Sequence, residues 1–154
     1  MFGNVLNKKL DDLITIGYTE KQSDFYIYSP MLWWLYLKLE NTYLCLTCNS
    51  GTITASKAEK IVCNFDIDED DIFTISSLSK SDFGIINQID LFYDAYSNLI
   101  ALGIQISKDD TYHFIDSSYI FIDAMDNNGF IVEMTKKRDV ILESYTFTTL
   151  DIIR

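Results

Sequence analysis

Two cysteines separated by two residues, Cys45 and Cys48, have the spacing of a reactive or metal-binding pair. A C-x-x-C pair serves thiol redox chemistry at a strand-to-helix turn, and it binds zinc when two further ligands join it. Here the pair falls inside an alternating strand pattern, which places the two sulfurs on opposite faces. Cys63 and His113 lack the spacing of a second zinc-binding pair. We therefore predict buried structural thiols and no metal site.

Residues 66–71 contain five carboxylates and resemble the opening of a calcium-binding loop. Such a loop needs glycine at its sixth position and a bidentate glutamate at its twelfth. Asp71 and Ser77 occupy those positions, so the motif is incomplete. The sequence predicts a hydrated acidic loop and no bound cofactor.

A pair of carboxylates offers one remaining route to catalysis. A hairpin turn at residues 127–129, with a three-residue loop, places Asp123 opposite Glu133. Paired carboxylates can act as general acid and general base, so a small enzyme of this kind stays open as an alternative. A catalytic triad is disfavoured, because His113 is the single histidine and no nucleophile motif accompanies it.

The charge of the chain is concentrated in its middle. The 154 residues carry 23 acidic and 12 basic side chains, a net charge of −11. Residues 66–126 hold thirteen of the acidic and two of the basic side chains, so the rest of the chain is neutral overall. This distribution predicts one acidic face, which disfavours nucleic acid and anionic membranes and favours a basic protein partner.

The residues expected to contact this partner form two groups. Asp90 and Asp94 lie four positions apart in a helical pattern, where like charges cost about 0.2–0.5 kcal/mol. A tolerated repulsion on an exposed helix face suggests a basic partner, although a merely solvated face explains it slightly better. The acidic loop supplies the second group: Asp68, Glu69, Asp70 and Asp71.

Two stretches show the three-to-four-residue spacing of amphipathic helices. Apolar residues in the first stretch predict a helix over residues 4–15, with Gly17 as its stop. The second stretch predicts a helix over residues 82–102, with Ser81 as its N-cap and Gly103 as its terminator.

Alternating patterns predict strands elsewhere. Residues 35–40 and 43–48 alternate in polarity and predict a hairpin around Asn41-Thr42. Further strands are expected at residues 61–65, 72–76, 104–106, 112–115, 119–125, 130–135 and 140–147. The predicted fold class is therefore α+β, with a largely antiparallel sheet and two main helices.

Composition and length predict a single domain over residues 1–154. Hydrophobic residues make up 48% and charged residues 23%, which is typical of a soluble globular protein. The longest apolar run, residues 31–37, is far below the roughly 20 residues of a membrane span. No signal-peptide pattern opens the chain, and three cysteines are an odd count for a disulfide framework. We expect a cytoplasmic protein.

The acidic middle, the net charge and the Ile, Asn, Lys and Tyr usage together resemble small bacterial immunity proteins. Such proteins neutralise the nuclease toxins of contact-dependent growth inhibition and colicin-like systems. The resemblance lies in composition and covers the whole chain. It implies a binding protein rather than an enzyme, one that forms a stoichiometric complex with a basic toxin domain and needs no cofactor. An acidic adaptor or scaffold protein is a further alternative.

Overall fold

The computed structural model describes residues 1–77, 83–106, 111–116 and 146–151. These residues form a short 3-10 helix, Phe2–Asn4, and nine β-strands. The strands are β1 (Lys9–Gln22), β2 (Phe25–Leu39), β3 (Thr42–Asn49), β4 (Thr52–Ala58), β5 (Ile72–Ser77), β6 (Gly84–Tyr93), β7 (Leu99–Ile106), β8 (Thr111–Asp116) and β9 (Thr146–Asp151). The described residues contain no α-helix, so the predicted α+β class with two main helices is wrong.

The strands pair antiparallel in the order β4-β3-β2-β1-β6-β7-β8, with β5 added to β1 and β9 added to β6. Strand β1 pairs with β2 along one edge. Its other edge is shared, because β6 pairs at residues 9–10 and β5 pairs at residues 14–19. Strand β1 therefore joins the β2–β4 side of the sheet to the β6–β8 side.

One apolar core draws on both sides of the sheet. Side chains from β1 to β4 cluster with side chains from β6 and β7, and β4 also approaches β7. The sheet thus folds back on itself, and its inner faces meet as in a β-sandwich. Fully buried members of this core include Leu10, Leu37, Leu46 and Ile86.

A β-bulge explains why residues 4–15 resemble a helix. The pairing of β1 with β2 shifts register between Leu10 and Asp12, which adds one residue to β1. Leu10 and Leu13 therefore both reach the inner core at a spacing of three, although the chain is a strand. The predicted helix over 4–15 is wrong, because the bulge reproduces helical spacing in extended backbone.

A β-bulge also explains why residues 82–102 resemble a helix. Strand β6 shifts register against β7 between Ile86 and Gln88, so that Ile86 and Ile89 face the core three residues apart. Strand β6 is also buried on both faces, since Leu91 and Phe92 are both buried, and burial on both faces hides the alternation of a strand. The predicted helix over 82–102 is wrong, and the described part is the β6–β7 hairpin.

Several of the predicted strands are confirmed. The hairpin of residues 35–48 is β2–β3, with Glu40 and Asn41 as its two-residue turn, and β5 covers the predicted strand at 72–76. Strands β7 and β8 contain the segments predicted at 104–106 and 112–115. The strand predicted at 61–65 is wrong, because those residues form irregular structure. The strands predicted at 119–125 and 130–135 and most of that at 140–147 lie outside the described residues.

Gly17 marks a second irregularity in the pairing of β1 with β2. Thr15 pairs with Leu35 whereas Gly17 pairs with Pro30, so residues 31–34 of β2 lie opposite a single residue of β1. A Cβ at Gly17 would lie 2.8 Å from the Pro30 Cα and would also meet the Ser29 backbone. The missing side chain therefore allows the backbone of β2 to approach β1 just before it bulges outward.

We expect Gly17→Ala to lower the free energy of unfolding by about 1–3 kcal/mol, because the added methyl group overlaps backbone atoms that cannot rotate away. Urea unfolding followed by tryptophan fluorescence measures this loss. Gly3→Ala is the matched control, since a Cβ at Gly3 meets nothing within 4 Å. Equal stability of the two variants would contradict the close approach of β1 and β2.

Candidate functional site

The chain crosses the outer face of the sheet between β4 and β5. Strand β4 lies at one edge of the order β4-β3-β2-β1-β5, and β5 lies at the other. Residues 59–71, here called the crossing segment, connect these two edges. Ile61 and Phe65 of this segment pack on a buried outer-face cluster made of Ile14, Ile16, Tyr36 and Cys45. The crossing segment therefore covers the side of the sheet that faces away from the main core.

Tyr36 ties the crossing segment to the sheet. Its side chain is 2% exposed, and its hydroxyl accepts a hydrogen bond from the backbone N–H of Val62. Burial raises the pKa of the Tyr36 phenol well above its ordinary value, and the neighbouring Cys45 thiol raises it further. The phenol is therefore neutral over the physiological range and holds the segment by a neutral hydrogen bond.

A row of aromatic rings runs from the bulge of β2 to the crossing segment and on to β5. Trp33 meets Trp34 edge to face with ring centres 6.3 Å apart, and Trp34 stacks on Phe65 at 5.7 Å. Phe65 in turn lies 6.0 Å from Phe73. Trp33, at the end of this row, is 53% exposed because the bulge carries it away from the sheet.

The acidic segment, residues 66–71, follows Phe65 directly. Asp68, Glu69 and Asp70 are exposed and Asp71 is partly exposed. The backbone N–H of Asp71 donates to the Asp68 carbonyl oxygen at 3.0 Å, so these four residues form a turn just before β5. The structure thus places four predicted partner-binding carboxylates together at the surface, beside the aromatic row.

Asp90 does not lie on an exposed helix face, and this prediction is wrong. It occupies the middle of β6 and is 5% exposed. Its Oδ1 atom accepts hydrogen bonds from Gln88 Nε2 at 2.9 Å and from Thr149 Oγ1 at 2.8 Å. These donors compensate for removing the carboxylate from water, and they link β6 to β9.

Asp94 organises the turn between β6 and β7. Its Oδ1 accepts hydrogen bonds from the backbone N–H groups of Tyr96 and Asn98, and its Oδ2 accepts one from Asn98 Nδ2. The Asn98 contacts, together with Tyr96, lower the pKa of the Asp94 carboxyl. Asp94 is partly exposed, but these local hydrogen bonds explain its presence without a partner.

The cysteines occupy the faces that strand alternation predicts. Cys45 belongs to the outer-face cluster and Cys48 to the inner core, so their sulfurs cannot act as one pair. Both are buried and neither forms a disulfide, and the prediction of structural cysteines on opposite faces is confirmed. No group of three or more His, Cys, Asp and Glu side chains able to hold a metal ion occurs in the part of the chain that the structure describes.

The sequence did not identify all the residues of this surface. The four-residue bulge that exposes Trp33 has no local sequence signal apart from the Ser29-Pro30 pair before it. The strand pattern predicted that Ile75 lies in a strand. Its 50% exposure could not be predicted, because it depends on which other elements cover β5. Asp123 and Glu133, the carboxylate pair of the enzyme alternative, lie outside the described residues.

No protein-family model, curated protein sequence or solved structure matches this chain. Across the residues that the structure describes, no helix has the length and apolar character needed to cross a membrane.

We expect Tyr36→Phe to lower the free energy of unfolding by about 1 kcal/mol at neutral pH, because the hydrogen bond to Val62 is lost. The raised pKa of Tyr36 also gives a pH dependence. The folded protein keeps the phenolic proton above pH 10 while the unfolded chain, with a pKa of about 10, releases it. The stability that comes from the buried neutral phenol is complete below about pH 10 and is lost as the pH rises further.

Urea unfolding of the wild type and of Tyr36→Phe between pH 7 and 11 measures both effects. The difference in stability between the two proteins should shrink above pH 10. Tyr26→Phe, which changes an exposed phenol, is the control at pH 7 and should alter stability by less than about 0.5 kcal/mol. A constant difference across the whole pH range would contradict the buried phenol.

Proposed function

We propose that this protein binds and inhibits a basic protein, and that the partner is a nuclease toxin domain. The observation that carries the proposal is the exposed acidic segment, which lies beside the aromatic row on the outer face. All of the net negative charge of the chain belongs to residues 66–126, where this segment begins. The resemblance to immunity proteins supports the same conclusion.

The charge of the acidic segment suits a nuclease because a nuclease must itself attract a polyanion. Enzymes that cleave nucleic acid carry basic residues along the phosphate path. Carboxylates with matching spacing attract the same basic residues and speed the encounter of the two proteins. Inhibition then needs no chemistry from this chain, since occupation of the phosphate path is sufficient.

Trp33 supplies an apolar anchor, which the charged residues of the acidic segment cannot provide. Rim charges mainly raise the association rate, whereas slow dissociation depends on desolvated anchors, of which tryptophan is among the most effective. Trp33 is exposed and meets the ring of Trp34 edge to face, and Trp34 is in turn stacked on Phe65. We assign Trp33 as the apolar anchor and the acidic segment as the charged rim of one binding surface.

Asp90 and Asp94 contribute to this surface indirectly or not at all. Asp90 is buried and hydrogen-bonded to Gln88 and Thr149, so it cannot meet a partner without losing those bonds. Asp94 adds to the negative field, but its carboxylate is engaged in the β6–β7 turn. The proposal therefore rests on Asp68, Glu69, Asp70 and Asp71.

The test begins with the product of the adjacent gene. This chain and that product are co-expressed and purified together, and cleavage of plasmid DNA by the product is measured with and without one equivalent of this chain. The proposal requires a stoichiometric complex and loss of cleavage. Absence of a complex, or unchanged cleavage within a complex, would reject it.

In that complex we expect Asp70→Asn to slow association by about twofold at low salt, and Asp68→Asn together with Asp70→Asn to slow it further, because the steering field weakens. Dissociation should change less. Stopped-flow association at two salt concentrations measures this, and the difference should vanish at high salt. Asp94→Asn is the matched control, since it removes one charge and keeps the turn acceptor. An equal effect of Asp94→Asn would show that only net charge matters.

We expect Trp33→Ala to weaken the complex by about 2 kcal/mol or more, roughly thirtyfold in Kd, because it removes the central apolar anchor. The loss should arise mainly from faster dissociation. Tyr96→Ala is the control, since Tyr96 is an exposed aromatic residue on the β6–β7 turn. Isothermal titration calorimetry of both variants measures the comparison, and an unchanged Kd for Trp33→Ala would remove Trp33 from the surface.

A further inference from the structure

Strand β5 has an open edge. It pairs with β1 along one side, from Ile72 opposite Thr19 to Ser77 opposite Ile14. No other described strand pairs with it on the remaining side. Since residues of an antiparallel strand alternate in the direction of their backbone groups, alternate N–H and C=O groups of β5 point away from β1.

The side chains of β5 also remain open to solvent. Ile72 is 58% exposed and Ile75 is 50% exposed. The two lie an odd number of residues apart, so they stand on opposite faces of the strand. Neither face of β5 is therefore fully covered.

Within the residues that the structure describes, this edge lacks the features that usually prevent strand addition. Natural edge strands are blocked by lysine, proline, bulges or a covering element. The sequence of β5 is Ile-Phe-Thr-Ile-Ser-Ser, which contains no charge, no proline and no glycine. Its pairing with β1 is regular over all six residues. An uncharged, regular and exposed edge is a template for another strand.

The charged residues near β5 determine which charge an added strand should carry. The turn of Asp68 to Asp71 ends where β5 begins, so exposed carboxylates stand at one end of the open edge. Strand β4 is the opposite edge strand of this half of the sheet. It contains Lys57 and is followed by Glu59 and Lys60, so the charges near this edge nearly balance. A positively charged strand is therefore attracted to β5 and has no such preference for β4.

We propose that β5 receives an extended, positively charged segment of a partner protein, which adds to the sheet as a further antiparallel strand. Backbone hydrogen bonds give the affinity, Ile72 and Ile75 contact its side chains, and the acidic segment pairs with its basic residues. This inference rests on the proposed function for the identity of the partner, but strand addition at β5 can be tested without that partner.

A second copy of this chain is the less suitable occupant. Each copy carries a net charge of −11, and two such chains repel each other. Pairing of β5 with β5 would also place carboxylates beside an edge that carries no cation to meet them. The charges thus favour a different, basic chain.

The probe is a synthetic peptide of alternating valine and threonine with two lysines at each end. A control peptide has the same lysines but proline in place of valine, so every second backbone donor is missing and the proline rings disfavour pairing as a strand. Hydrogen–deuterium exchange of the full-length protein is followed with each peptide. The proposal requires that the valine peptide slow exchange within residues 72–76. The proline peptide should leave the exchange of these residues unchanged.

Two variants locate the binding edge. Ile75→Lys places a cation in the middle of β5 and should weaken binding of the valine peptide about fivefold or more, because it removes an apolar contact and adds a charge that repels the positively charged peptide. Thr54→Lys adds the same charge to an exposed position on β4 and should change the affinity less than twofold. Ile72→Lys, on the other face of β5, provides a second test if Ile75→Lys unfolds the protein.

The outcomes separate this inference from the proposed function. Unchanged exchange within residues 72–76, or equal effects of Ile75→Lys and Thr54→Lys, would overturn strand addition at β5 even if the nuclease complex forms. Protection that depends on protein concentration without peptide would assign the edge to a second copy and also overturn it. Protection by the valine peptide supports the open edge even if no nuclease complex is found.

Discussion

The shared edge of β1 is the interaction on which the rest of this structure depends. One edge of β1 carries β2, while the other carries β6 at residues 9–10 and β5 at residues 14–19. Because β6 and β5 take successive parts of one edge, the strands that follow β6 are free to turn away and cover the inner face of the sheet. The core therefore forms by folding of a single sheet over itself.

That arrangement also determines where the acidic segment lies. Strands β4 and β5 stand at opposite edges of the β1–β5 half, so the chain between them has to cross the outer face. Ile61 and Phe65 are partly buried against that face, and Tyr36 holds the backbone of the same segment. The carboxylates that follow Phe65 are left at the surface next to an edge of β5 with which no other described strand pairs. Position, more than charge alone, makes this region suitable for binding.

The aspartates of the acidic middle of the chain have three different roles in the tertiary structure. Asp90 is buried and bonded to β9, whereas Asp94 closes a turn through three local hydrogen bonds. Asp68 and Asp70 are exposed on the crossing segment. The first two serve the fold, since their oxygen atoms compensate buried or turn N–H and O–H groups. The side chains of Asp68 and Asp70 make no such contact in the described structure, and together with Glu69 and Asp71 they are the carboxylates assigned to binding.

The sequence by itself determined the features that depend on neighbouring residues. These are the acidic middle of the chain, the β2–β3 hairpin, and the opposite faces of Cys45 and Cys48. Tertiary structure alone decided the fold class, because bulges near Leu10 and Ile86 give strands a helical spacing, and burial on both faces of β6 removes its alternation. It also decided which carboxylates are exposed, since exposure depends on strands that are distant in sequence.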